Sequence, residues 1–248
     1  ASDQAEWSVA CSQKLLNAGA MKLMRNPIRL VPSLFAFAIA IGTVLLSLPI
    51  ATADGIRAPF LTALFTATSA VAVTGLVVVD TGTYWSPFGQ AAILLMFQIG
   101  GLGIMTAATL FGLIAGRGFG LHDRMATQVE RGRLERGDAL SVLKLVFAIT
   151  IVVEVVVAAI LALRMASAYD MGLGTALWHG VFHSVSAFNN AGFSTHADSV
   201  MGYQSDPIIL VPIMLAVILT ALGFPVMQDL RDRKLDWRRW SLHSKVTV

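Results

Sequence analysis

One phrase occurs twice in this chain. Residues 65–76 read Phe-Thr-Ala-Thr-Ser-Ala-Val-Ala-Val-Thr-Gly-Leu, and residues 182–193 read Phe-His-Ser-Val-Ser-Ala-Phe-Asn-Asn-Ala-Gly-Phe. Phe65, Ser69, Ala70 and Gly75 return as Phe182, Ser186, Ala187 and Gly192, at a constant offset of 117 residues (65 to 182, 75 to 192). Each copy is apolar, ends in a glycine and lies between two longer apolar segments. A fold that accepts this chain has to give both copies equivalent surroundings, so the pattern points to an internal duplication.

The surroundings are lipid. Of the 248 residues, 56% are hydrophobic and 13% charged, and the mean hydropathy is +0.71. Soluble domains carry about 25% charged residues, so this chain has too little polar surface to cover a water-soluble fold. The single Cys11 excludes an internal disulfide. The first 26 residues are mixed polar and show no cleavable signal pattern. Four segments are long enough to cross ~30 Å of hydrocarbon, which takes about 20 helical residues. They run over about 28–53, 88–115, 140–163 and 207–227. Two further apolar stretches, at about 59–79 and 172–193, hold the repeated phrase and are ambiguous by hydropathy alone.

Charge resolves them. Cytoplasmic flanks collect Lys and Arg. Of the 18 basic residues, 16 fall in three places: Lys14 to Arg29, Arg117 to Lys144, and Arg231 to Lys245. If only the four long segments span, all three clusters share one side, with the N-terminus cytoplasmic. The two ambiguous stretches then enter from outside and return. Irregular backbone at membrane depth is tolerated only where protein covers it or where it lines a watery cavity. Both units begin on the same side, so the duplication is parallel and not inverted. The expected fold is an all-α membrane protein, each unit reading span, re-entrant helix, glycine turn, extended return, span. Pro59 is expected early in the first short helix, and Thr175 is expected to cap the second. Each short helix points its C-terminal partial negative charge at the turn, which favours a cation there. Carbonyls freed at the turn can replace a cation's hydration shell, and glycine permits the backbone angles this needs. A partial echo follows: Leu102-Gly103 recurs as Leu222-Gly223.

These residues resemble a known family. Thr68 to Leu76 with the following Val77-Val78-Val79-Asp80 is similar to the first filter of the Trk/Ktr/HKT superfamily of potassium transporters, and Ser186 to Phe193 is similar to the second. Arg25-Asn26-Pro27-Ile28-Arg29-Leu30 resembles the start of that family's first membrane helix, and Leu242-His243-Ser244-Lys245 the start of its third repeat. The resemblance implies a fold of four potassium-channel-like pore repeats, of which this chain holds two. It implies a filter in which Val73, Thr74, Gly75 and Leu76 supply carbonyls from the first repeat, and Asn190, Ala191, Gly192 and Phe193 from the second. It implies potassium as the transported ion and the only metal, with a possible sodium dependence and no further cofactor. With about 26 residues before the first span, the chain looks most like the Ktr-type membrane subunit. That likeness implies a homodimer in the plasma membrane on a cytosolic nucleotide-binding ring, contacted through the basic loop. The expected organisation is a cytoplasmic segment at 1–27, repeat one at 28–115, a basic loop at 116–139, repeat two at 140–228, and a linker with the start of a third repeat at 229–248. The rest of a longer protein, or a second copy, would complete the ring. The second case makes a two-repeat dimeric cation channel the alternative.

Other residues admit a plainer reading. Glu154 lies in mid-span, where an ionisable group is a functional candidate, but a hydrogen-bonded packing role is preferred. His179 and His183 share a helix face, but Gly180 stands where a metallopeptidase needs Glu, so a polar patch is preferred. Gly100, Gly101 and Gly103 fit close helix packing better than a hinge. Asp54, Asp80, Asp170, Asp198 and Asp206 fall on the outer side, either concentrating cations or as ordinary loop residues. The basic clusters are topology signals that can also touch anionic lipid, and no nucleic-acid partner is expected. A remote alternative is an intramembrane hydrolase using Ser184 or Ser186 with a His. It leaves the duplication unexplained, and no enzyme is expected.

Overall fold

A computed structural model describes residues 27–115 and 137–223, together with Val226 and Lys245. The N-terminal basic cluster up to Arg25, the loop cluster from Arg117 to Arg136 and nearly all of the 229–248 linker lie outside the described residues. Among the described residues every extended element is helical, and the only pairing of β type is an isolated bridge between Thr52 and Trp85.

The first unit opens with α1 (Pro27–Leu46), followed by a 3-10 turn at Pro49–Ala51. A short helix, α2 (Phe60–Val71), comes next, then a helical turn α3 (Thr81–Tyr84) and the long α4 (Pro87–Ala115). The second unit has α5 (Gly137–Ala168), the short α6 (Leu173–Phe188), a 3-10 turn at Met201–Tyr203, and α7 (Pro207–Ala221). Two stretches, Pro87–Ile104 and Val146–Ala168, are long and apolar enough to cross a bilayer; α1, α2 and α7 contribute shorter apolar runs.

The short helices start away from expectation, the first by one residue and the second by three. Pro59 is the N-cap of α2, not its first helical residue. Gly172, not Thr175, caps α6, and Thr175 lies inside the first turn. The two caps share one extended conformation, φ −55° and ψ 138° at Pro59, φ −55° and ψ 139° at Gly172. Neither supplies a side-chain cap bond. α6 has 16 residues against 12 in α2, one extra turn at its outer end. The echo at Leu102-Gly103 also divides. Gly103 continues α4, whereas Gly223 turns to φ +81° just after α7. Pro225 follows in sequence, and a proline ends a helix before it.

Small residues let the elements approach. Ala63, Ala67 and Ala70 recur along one face of α2 and are fully covered, which places α2 deep against α1 and α4. Gly180 brings α6 onto α5, where an added Cβ would stand 2.8 Å from the Ala158 carbonyl and 2.9 Å from the Ala162 amide. The units share a core. Phe97 of α4 stacks on Phe193 at 5.9 Å and meets Phe182 edge-on at 5.5 Å. Gln90 of α4 accepts a hydrogen bond from Trp178 of α6 at 2.9 Å. Outward faces stay apolar: Phe37, Val44, Val152, Val155 and Leu163 are all exposed. Such surface is incompatible with water and suits lipid or further protein.

Candidate functional site

The repeated phrase folds the same way twice. After α2, Ala72 closes the helix with its N–H on the Thr68 carbonyl (2.9 Å), Val73 bonds Ala70 (3.1 Å) and Thr74 bonds Ser69 (2.9 Å). After α6, Asn189 bonds Val185 (3.0 Å), Asn190 bonds Ala187 (3.1 Å) and Ala191 bonds Ser186 (2.7 Å). Each of these pairs is shifted by 117 residues. The backbone angles match as well. Val73 and Asn190 have φ of +56° and +55°, and Gly75 and Gly192 have +71° and +73°. Left-handed values cost an L-residue roughly 1–2 kcal/mol and glycine almost nothing, so Val73 and Asn190, one in each turn, mark a conformation that the surroundings hold in place.

The two turns meet at their glycines. A Cβ on Gly75 would lie 2.6 Å from the Ala191 carbonyl and 3.1 Å from the Gly192 Cα, and a Cβ on Gly192 would lie 3.4 Å from the Gly75 Cα. Side chains then alternate differently on the two returns. Thr74 and Leu76 are exposed while Val73 is half-buried; Ala191 and Phe193 are buried while Asn190 is exposed. Neither α2 nor α6 has a basic residue in its last turn, so nothing there neutralises the negative helix end.

Side chains brace the turns from behind. Ser69 accepts from the Thr74 hydroxyl at 3.0 Å, and Ser186 donates to the Phe193 carbonyl at 2.7 Å. Asn190 donates to Thr220 of α7 at 3.0 Å. Asn189, which ends α6, donates to Gln98 of α4 at 2.5 Å; Gln98 in turn donates to Glu154 of α5 at 3.2 Å. Glu154 is therefore a buried, hydrogen-bonded packing group, as the plainer reading holds. The glycine pair of α4 serves the same end. Gly100 lies against the Val71 carbonyl at the end of α2, and Gly101 against the Asn189 side chain at the end of α6. One helix thereby seats the inner ends of both short helices, which favours packing over a hinge.

The outer carboxylates divide. Asp80 caps α3 by accepting from the Thr83 amide at 2.7 Å. Asp206 caps α7 through the Ile208 amide at 3.0 Å and pairs with Arg164 at 2.7 Å. It is buried, unlike an ordinary solvated loop residue. The Arg164 hydrogen bond holds its carboxyl below the usual aspartate range. Asp54, Asp170 and Asp198 are exposed. Ser184 and Ser186 both donate to backbone carbonyls, of Glu154 and Phe193, and neither is paired with a histidine among the described residues.

His179 and His183 do share a face of α6, and a third ring joins them that the spacing did not reveal. His196, on the return segment, stacks on His179 at 4.4 Å and on His183 at 5.1 Å between ring centroids. Burial pushes the His196 imidazole below its ordinary pKa.

Comparison with known proteins shows the family. The TrkH family, described as cation transport protein, matches residues 35–235. The chain belongs to this family. Its relatives are transporters and not enzymes. The chain is 41% identical over 214 residues to the Ktr system potassium uptake protein B of Bacillus subtilis, covering 86% of this chain and 47% of that protein. It is 33% identical over 226 residues to the Ktr system potassium uptake protein D of the same organism, covering 90% and 50%. It is 32% identical over 227 residues to the potassium/sodium uptake protein NtpJ of Enterococcus hirae, covering 90% and 49%. The chain thus spans about half the length of the curated relatives it matches.

Proposed function

We propose that this chain supplies two adjoining corners of a potassium-selective pathway across the plasma membrane, with its N-terminus cytoplasmic. The observation that carries this is the contact between two turns of one conformation at Gly75 and Gly192. α2 and α6 act as pore helices, 28–115 and 140–228 as parallel pore repeats, and 73–76 with 190–193 as filter segments. Carbonyls of Val73, Thr74, Gly75, Leu76, Asn190, Ala191 and Gly192 replace the ion's hydration shell, and that of Phe193 joins them only through the lone pair that the Ser186 hydroxyl leaves free. The unneutralised C-terminal ends of both pore helices lower the cost of holding a cation beneath the filter. Relatives named as potassium uptake proteins support the choice of ion, and retention of glycine at both corners fits it. The name of the Enterococcus relative, which includes sodium, keeps a sodium dependence within the reading; no other cofactor is invoked.

Two corners do not enclose an ion. Phe193 is covered by Phe97 of the preceding repeat, whereas its counterpart Leu76 is 62% exposed. By the same symmetry, the outgoing helix of another repeat covers Leu76. The matched relatives, about twice as long, have room for the two remaining repeats. A homodimer on a cytosolic nucleotide-binding ring, contacted through the basic loop, would gate uptake, and lipid surrounds the exposed apolar faces.

The test is complementation of a potassium-uptake-deficient strain by the complete gene. Wild type restores growth at low potassium, and Gly75→Asp at equal membrane expression does not. Undiminished rescue by Gly75→Asp would remove the filter from the account.

A further inference from the structure

We propose that His179, His183 and His196 form a binding site for a zinc-class divalent transition metal, beside the second turn. The proposal stands on placement of the three rings and does not depend on what passes the glycine turns.

Each ring offers one nitrogen, and these nitrogens lie within 4.8 Å of one another. Imidazole nitrogen is the preferred donor for zinc, copper and nickel, whereas Mg²⁺ and Ca²⁺ take oxygen. A tetrahedral zinc with Zn–N of about 2.05 Å needs nitrogens about 3.4 Å apart. The site must therefore close slightly. His183 is buried, whereas His179 and His196 are partly buried; His196 stacks on both other rings, so closing the site requires it to turn out of that stack.

The outer partners fix the ring tautomers, and Ser194 must release His183 for a metal to take its place. His183 Nδ1 faces the His179 carbonyl at 2.8 Å, and a carbonyl only accepts, so Nδ1 carries the proton. Its Nε2 is then an acceptor, taking the Ser194 hydroxyl at 2.9 Å, and that lone pair is the one a metal would use. His179 Nδ1 is held by Thr195 at 2.5 Å, and His196 Nε2 by Tyr203 at 3.1 Å. In both rings the opposite nitrogen makes no hydrogen bond among the described residues. A second-shell partner on one nitrogen, with the other turned to a shared centre, is the arrangement that orients histidine on a metal. Three protein ligands leave the fourth position to water.

The placement also says what the metal would fasten. His179 and His183 belong to α6, and His196 to the return segment three residues after Phe193. His183 lines a cavity of about 300 Å³ with Asn190, Gly192 and Phe193. A bound ion would tie the return to its helix.

The experiment uses the complete protein, purified in detergent after chelator treatment. Zn²⁺ binding is measured by titration calorimetry, and geometry by the visible absorption of Co²⁺ in its place. Wild type is expected to bind one Zn²⁺ per chain, and to bind Mg²⁺ and Ca²⁺ at least 100-fold more weakly. His196→Gln and His179→Gln, at partly exposed positions, should each weaken Zn²⁺ binding at least tenfold and abolish the tetrahedral Co²⁺ bands. Size-exclusion elution and helical circular dichroism identical to wild type show that these variants fold. Absence of Zn²⁺ binding by wild type, or unaltered binding by both folded variants, overturns the proposal.

Discussion

Gly75 and Gly192 occupy the same backbone state but not the same space. Alanine at either position costs roughly 1–2 kcal/mol for a left-handed φ. At Gly75 the new Cβ also meets the Ala191 carbonyl at 2.6 Å, a backbone atom with little freedom to retreat, whereas at Gly192 the nearest atom is 3.4 Å away. Rubidium uptake by vesicles carrying the complete protein should therefore fall more for Gly75→Ala than for Gly192→Ala, by about tenfold or more. Equal losses would mean that backbone strain alone matters and the glycine contact does not. Both glycines were legible in sequence because the offset of 117 residues survives unchanged through the whole phrase. His196 was not, because it lies 13 residues after His183 and reaches it only through the non-helical return. No helical period carries that information; the clue available was that three of the five histidines fall within residues 179–196.

At the scale of elements, the C-terminal end of α6 is held by α4 and α5 through polar groups, and that of α2 by close packing on Gly100 of α4. Asn189, Gln98 and Glu154 form a chain across three helices, and the Asn189 Oδ1 has no hydrogen-bond partner among the described residues. Replacing Glu154 by Ala leaves the half-buried Gln98 amide without its acceptor, which costs at most about 1–3 kcal/mol. Replacing it by Gln keeps an acceptor in place. A thermal unfolding series on the detergent-solubilised protein should show a clear loss of stability for Glu154→Ala and a small one for Glu154→Gln; a larger loss for Gln would require the carboxylate charge itself. The presence of the helices was readable from apolar length, but their bounds were not: α1 stops at Leu46 where the expected span ran to about 53, and only Pro87–Ile104 and Val146–Ala168 are long and apolar enough to cross a bilayer. Pro59 and Gly172 set the entry by backbone conformation without a capping side chain, so Thr175, chosen for its hydroxyl, was the wrong signal. The extra turn of α6 lies outside the repeated phrase, where the two units no longer share sequence.

For the whole molecule, the family match covers residues 35–235 and the chain spans about half the length of its relatives; on the proposed reading it holds half of a ring of pore repeats. Parallel orientation rests on the three basic clusters, each of which lies outside the described residues except for one member, Arg29, Lys144 or Lys245. The contact between the units was not legible in the sequence at all. It depends on Phe97, Phe182 and Phe193 meeting from distant positions, and on glycines narrow enough to let two backbones touch. The central claim is that these two turns hold the transported ion. Anomalous scattering from thallium, a potassium substitute, in crystals of the complete protein tests it most directly. The account predicts thallium in direct contact with carbonyl oxygens of residues 73–76 and 190–193. Thallium bound elsewhere along the pathway, with none at these two turns, would contradict it.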